Sequence, residues 1–197
     1  MDGAWACQPT LPALIRPVVS DPFEVVRLLV SPGHNFFGHH GEPPAQHPMI
    51  ELAAVRCLAG RGLEGDRFLD YKPDNPGQIT FFAEETLLGL AEALGLPDLE
   101  LPALRRNVLT RGGDLLALIG REFTVQGVRF AGVEECRPCY WMNQAVSPGA
   151  EAWLRGRGGL RARILSDGVL RTAAKEIGVG LESGSGLGSL ARACSVD

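Results

Sequence analysis

Glycine and proline interrupt this chain so often that it cannot build long helices. The 25 glycines and 14 prolines fall between short apolar runs, and each marks a place where the backbone turns. What survives between them is mostly of strand length. Phe23 to Val30 (FEVVRLLV) is apolar and β-branched and reads as a strand. Ile50 to Leu58 (IELAAVRCL) reads as a second, although its alanines and leucines also suit a helix, and Gln78 to Phe82 (QITFF) as a third. Glu122 to Val125 and Val128 to Glu134 are two more, joined at Gln126-Gly127 by a hairpin signal. Leu160 to Leu165 alternates apolar and basic residues as a strand does, which puts Arg161 and Arg163 on one face.

Helical patterning is sparse. Ala83 to Leu94 has Leu87, Leu90 and Leu94 at helical spacing, acids in its first turn and Gly95 as a stop. Leu115 to Gly120 suits one helical turn, Pro148 to Arg155 a short helix, and LRRNVLTRG a helix end running into a strand. Short strands, frequent turns and two or three helices point to a single mostly β domain, a compact barrel with peripheral helices. Hydrophobic residues make up 45% of the chain, enough for a real core. A net charge of −4 gives no global bias toward nucleic acid. No apolar run approaches the roughly 18–20 residues of a membrane span. MDGAWACQPTLPALIRP lacks the basic and apolar regions of a signal peptide, so a cytoplasmic protein is expected.

Five cysteines, Cys7, Cys57, Cys136, Cys139 and Cys194, are too scattered and odd in number for a disulfide framework. Cys57 is expected to face a strand core, and Cys7 and Cys194 to lie in the chain ends. Cys136 and Cys139 belong to VEECRPCYWMN, where Pro138 cannot continue a β ladder. Cys139 should therefore project from a strand–loop junction toward a cavity. A free thiol has a pKa of about 8.5 and needs a positive neighbour or a metal to react at neutral pH. Four readings stay open for the pair: a buried core thiol, half of a zinc site completed by histidines, a dithiol redox pair, or a thiolate that ligates a soft metal or carries sulfur. All four histidines, His34, His39, His40 and His47, lie in the Gly/Pro-rich loop 31–48. That loop is expected to border the pocket, with Phe36 and Phe37 lining a flat substrate.

Three separated stretches together resemble the MOSC domain family, named for the C-terminal domain of molybdenum-cofactor sulfurases. They are GRGLEGDR (Gly60 to Arg67), LRRNVLTRGGDLLALIGREF (Leu104 to Phe123), and CRPCYWMN leading into GRGGLRARILSDGVLR, which ends at Arg171. The likeness is to the stand-alone bacterial members, whose P-C-[YF]-x-x-N pattern selects Cys139 over Cys136 and is completed by Asn143. The resemblance implies a MOSC-type β-barrel carrying a molybdopterin-type molybdenum cofactor, with Cys139 as the catalytic residue and metal ligand. It further implies reduction of N-hydroxylated small molecules, with electrons from a separate electron-transfer protein. Sulfur transfer is the alternative, through a Cys139 persulfide exchanged with a donor or acceptor protein, and a non-catalytic cofactor-binding module is a third.

Arg105 and Asn107 match the family's R-x-N, and Asp66 and Arg67 its G-D-[RK]. These four, with Asn143 and Arg161, are the expected cofactor-binding residues, and Lys72 is a further candidate. Residues 23–180 would form the MOSC domain, with 1–22 an N-terminal extension and 181–197 a flexible tail. Little precedes Phe23, so the extra N-terminal β domain of eukaryotic members is not expected. Neither nucleic acid nor membrane is an expected partner.

Overall fold

A computed structural model describes residues 18–39 and 41–172; the N-terminal extension up to residue 17, Cys7, His40, Cys194 and the C-terminal tail lie outside the described residues. The strands are β1 (Val19–Ser20), β2 (Glu24–Val30), β3 (Ile50–Leu52), β4 (Ala54–Leu58), β5 (Gly62–Leu63), β6 (Ile79–Ala83), β7 (Val108–Arg111), β8 (Glu122–Val125), β9 (Val128–Glu135), β10 (Leu160–Ile164) and β11 (Gly168–Arg171). The helices are α1 (Glu84–Leu94), α2 (Leu101–Leu104), α3 (Trp141–Ala145) and α4 (Ala150–Leu154), with a single 3-10 turn at Leu116–Leu118. The molecule is thus mostly β with peripheral helices.

Eight strands form one sheet in the order β1-β8-β9-β10-β6-β7-β2-β3, and β11-β4-β5 form a second. The barrel expected from the sequence is not closed. The edges of the larger sheet are the two-residue β1 and the three-residue β3, which do not pair with each other. The run read as one strand, Ile50 to Leu58, breaks at Ala53. Its first half pairs with β2, and its second half leaves to pair with β11 and β5.

The central strands β2, β6 and β7 read as nearly continuous apolar runs because both of their faces are buried. Leu28, Phe81 and Val108 point into a core shared with the small sheet, where they meet Val55, Cys57, Phe123, Phe130 and Leu170. Their sequence neighbours Leu29, Phe82 and Leu109 point the other way, against Leu87, Leu90, Leu101, Leu104, Met142 and Leu154 of the helices. In the first core Phe81 packs edge-on to Phe123 and Phe130 at 5.7 and 5.4 Å.

Local signals landed where expected. Gly95 caps α1 in the left-handed region at φ 64°. Gln126 and Gly127, both at positive φ, turn β8 into β9. This hairpin carries β9 to Glu135, and the cysteine segment leaves the sheet there.

Candidate functional site

Beyond the end of β9 the chain runs without regular structure from Cys136 to Cys139 and then enters α3. It is held in place by backbone contacts. Cys136 N–H donates to Gly159 O at 2.8 Å, and Arg106 fastens three carbonyls at once: Leu104 at 2.8 Å, Cys136 at 3.2 Å and Gly158 at 3.2 Å. Arg106 is buried and commits its fork to these oxygens. It is a clamp that locks the cysteine segment to β7 and to the approach to β10.

Cys136 and Cys139 both line one cavity of about 690 Å³. Cys136 is buried, and Cys139 is exposed. Six cations share that wall: Arg67, Lys72, Arg105, Arg106, Arg137 and Arg161. Arg161 donates to Glu134 at 2.8 Å. Burial works against its charge, but Cys136 and Glu134 outweigh that and hold its pKa above the ordinary value. Burial lowers the pKa of Arg67, and the nearby Arg106 cation adds to the effect. Burial likewise pulls Arg105 down to about 10, with Arg67 contributing. A pocket that crowds cations at this cost is electrostatically prepared for an anion.

Arg105 sits at φ 52°, a left-handed conformation rare for a non-glycine residue, and this turns its guanidinium toward the histidine loop. There it donates to Ser31 Oγ at 2.6 Å, Gly33 O at 2.7 Å and His47 O at 2.9 Å, tying both ends of the loop to the start of β7. The loop then supplies His34, Asn35, Phe36 and Phe37 to the cavity. Phe36 packs on Trp141 at 5.0 Å. The His34 ring stands edge-on to Phe68 at 4.8 Å. Burial lowers the pKa of His34, and Arg67 lowers it further. His39 and His47 do not line the cavity. Among the described residues no three His, Cys, Asp or Glu side chains gather as a metal-binding group.

Of the residues singled out in the sequence, the structure brings Cys139, Arg67, Arg105, Arg161 and Lys72 together around this cavity. Asp66, Asn107 and Asn143 do not line it. Asp66 is buried and accepts from Ser31 N–H, Phe68 N–H, Asn107 Nδ2 and Arg67 Nη1. Asn107 accepts from Thr80 N–H and Oγ1 and donates to Leu29 O and Asp66, so none of its amide capacity is left for a ligand. Asn143 accepts from Gly149 N–H and Glu151 N–H at the start of α4. Sequence reading missed Arg106 and Asn75 in the cavity wall. Arg106 sits between the two motif positions Arg105 and Asn107, and its adjacency to them was the available signal.

A mostly β scaffold here presents an exposed thiol in a cation-lined cavity. The MOSC domain model matches residues 69–180, more than half of the 197, and the chain belongs to the MOSC domain family. The GRGLEGDR motif lies ahead of that match. Solved structures share the fold at low identity. The YuaD protein from Bacillus subtilis is 16% identical with a TM-score of 0.62, over 76% of this chain and 91% of that one. YiiM from Geobacillus stearothermophilus is 16% identical with a TM-score of 0.56, over 76% and 71%. YiiM from Escherichia coli is 19% identical with a TM-score of 0.51, over 76% and 64%. No curated protein matches the sequence at a significant level. The family is typically molybdenum cofactor-binding. Among the described residues no helix is long and apolar enough to cross a membrane.

Proposed function

We propose that this protein binds a molybdopterin-type molybdenum cofactor in the 690 Å³ cavity through the Cys139 thiolate, and that it reduces N-hydroxylated compounds there. The observation that carries this reading is a single one: an exposed thiol opens into the same cavity as five arginines, Arg67, Arg105, Arg106, Arg137 and Arg161. A soft thiolate suits a soft metal, and fixed guanidinium groups suit a phosphate. The donor set therefore fits the cofactor, which when bound supplies two-electron redox chemistry.

The chain's own residues have separate tasks. Arg106 fixes the cysteine segment, so that Cys139 meets the metal in one orientation. Arg67 and Arg161 favour the anionic end of the pterin, and Asp66, itself held by Asn107, orients Arg67. Phe36 and Trp141 form an apolar wall that limits water. Reduction of R–NHOH consumes two electrons and two protons, breaks the N–O bond and releases R–NH2 and water. A separate electron-transfer protein supplies the electrons. Residues 23–180 are the working domain in this reading, and the cytoplasm, where thiols stay reduced, is its setting.

A second reading draws on the exposure of Cys139: its thiolate can attack the outer sulfur of a partner protein's persulfide, the partner leaving as a thiol, and then pass that sulfur to an acceptor in the same way. Turnover of a hydroxylamine by the full-length protein with an artificial electron donor, lost in Cys139→Ser, is the expected result. Cyanide-labile sulfur on Cys139 in protein free of molybdenum and inactive on hydroxylamines would replace the first reading with the second.

A further inference from the structure

Asn75 differs from the other polar groups of the cavity wall. It is 6% exposed, its Oδ1 accepts from Gly77 N–H at 3.3 Å, and its Nδ2 has no hydrogen-bond partner. The other two buried side-chain atoms in that condition among the described residues, Arg121 Nε and Arg163 Nε, belong to residues that do not line the cavity. A buried amide donor left unmade is costly, and native proteins keep few of them. Asn75 belongs to the cavity wall, which gives this donor a use.

The neighbourhood says what it would bind. Asn75 N–H donates to Lys72 O at 3.3 Å, closing a turn that sets Lys72 and Asn75 side by side. Lys72 is exposed and makes no ion pair among the described residues; its ammonium lies 5.9 Å from the Tyr71 ring centroid. Four of the other five cavity cations are already engaged with acceptors of the protein: Arg67, Arg105, Arg106 and Arg161. Next to this turn two exposed aromatic rings stand at 90° to each other, 5.9 Å apart: Phe37, 62% exposed, and Tyr71, 41% exposed.

We infer that Lys72 and Asn75 form a recognition site for an anionic oxygen group, a carboxylate or a phosphate, on a flat aromatic substrate whose ring packs in the corner between Phe37 and Tyr71. The ammonium supplies charge, the amide supplies a directed N–H, and together they select an acidic substrate over its neutral isostere. The inference rests on the cavity being the catalytic site.

The test is equilibrium binding of benzoate, phenyl phosphate and neutral benzamide to the full-length protein, by calorimetry, on preparations of known molybdenum content. The expected result is that at least one of the two anions binds about tenfold or more tightly than benzamide. The tighter anion identifies the acidic group. Lys72→Met should erase most of that preference. Asn75→Asp, which keeps the acceptor for Gly77 N–H, removes the N–H donor and adds a negative charge, should weaken both anions about tenfold. Lys72 lies on the surface, so its variant keeps the test valid if Asn75→Asp fails to fold. Benzamide binding as tightly as the anions, no detectable binding of either anion, or both variants retaining the wild-type preference would overturn the inference. Protein without molybdenum that still discriminates in this way would fail the cofactor reading alone.

Discussion

Asn107 is 2% exposed and joins strands that are distant in sequence: β2 through Leu29, β6 through Thr80, and the Asp66 carboxylate beneath Arg67. Asn107→Ala should cost about 2–4 kcal/mol, because it strands buried partners rather than merely removing one bond. Urea denaturation measures this, and a loss under about 0.5 kcal/mol would show that the network is dispensable. His34 gives a pH prediction of definite sign. Burial and Arg67 hold its folded pKa below 6.5, so the unfolded chain takes up the proton first. Its contribution to stability is present above about pH 6.5 and is lost as pH falls from there through the depressed folded value. The stability difference between pH 7.5 and pH 5 should therefore shrink in His34→Gln, in a urea series at each pH; an unchanged difference would contradict the assignment.

At the scale of elements, the cysteine segment depends on close backbone approach. Gly158 brings its α-carbon against Cys136 O, where a β-carbon would overlap the carbonyl. Gly158→Ala should push the segment outward, loosen the Arg106 clamp and weaken the hold on the cofactor. Proteolysis at the Cys136–Cys139 segment together with molybdenum content reads both effects, and a variant matching wild type in both would refute the clamp. The elements most legible in the sequence were those built by local chemistry. The Gln126-Gly127 hairpin and the Gly95 cap each need only neighbouring residues to be read. The break at Ala53 was not legible, because the partner of Ala54–Leu58 is β11, more than a hundred residues on. Five-residue α3 is too short to show a period, and it packs through Trp141 and Met142. The candidate site divides in the same way. The thiol, Arg67 and Arg105 could be named from motif positions and Arg161 from the alternation of its strand, whereas Asn75 lies in a turn whose burial depends on the surrounding chain.

On the scale of the whole molecule, a protein of net charge −4 concentrates six cations on one cavity. Burial, with a smaller contribution from neighbouring cations, lowers the pKa of Arg105 and Arg67, so an anion entering the cavity stabilises their charged forms and the folded state. Pyrophosphate should raise the melting temperature, and the rise should diminish as sodium chloride approaches 0.5 M, because exposed charges are screened. A shift insensitive to salt, or none, would argue against an electropositive site. The proposed chemistry of the cavity depends on whether Cys139 holds a metal. The most direct measurement is elemental analysis of freshly purified wild-type protein beside Cys139→Ser and Cys136→Ser. Molybdenum near one equivalent in the wild type and in Cys136→Ser, and absent from Cys139→Ser, is the predicted result. Equal molybdenum in the wild type and Cys139→Ser, or none in any of the three, would contradict it.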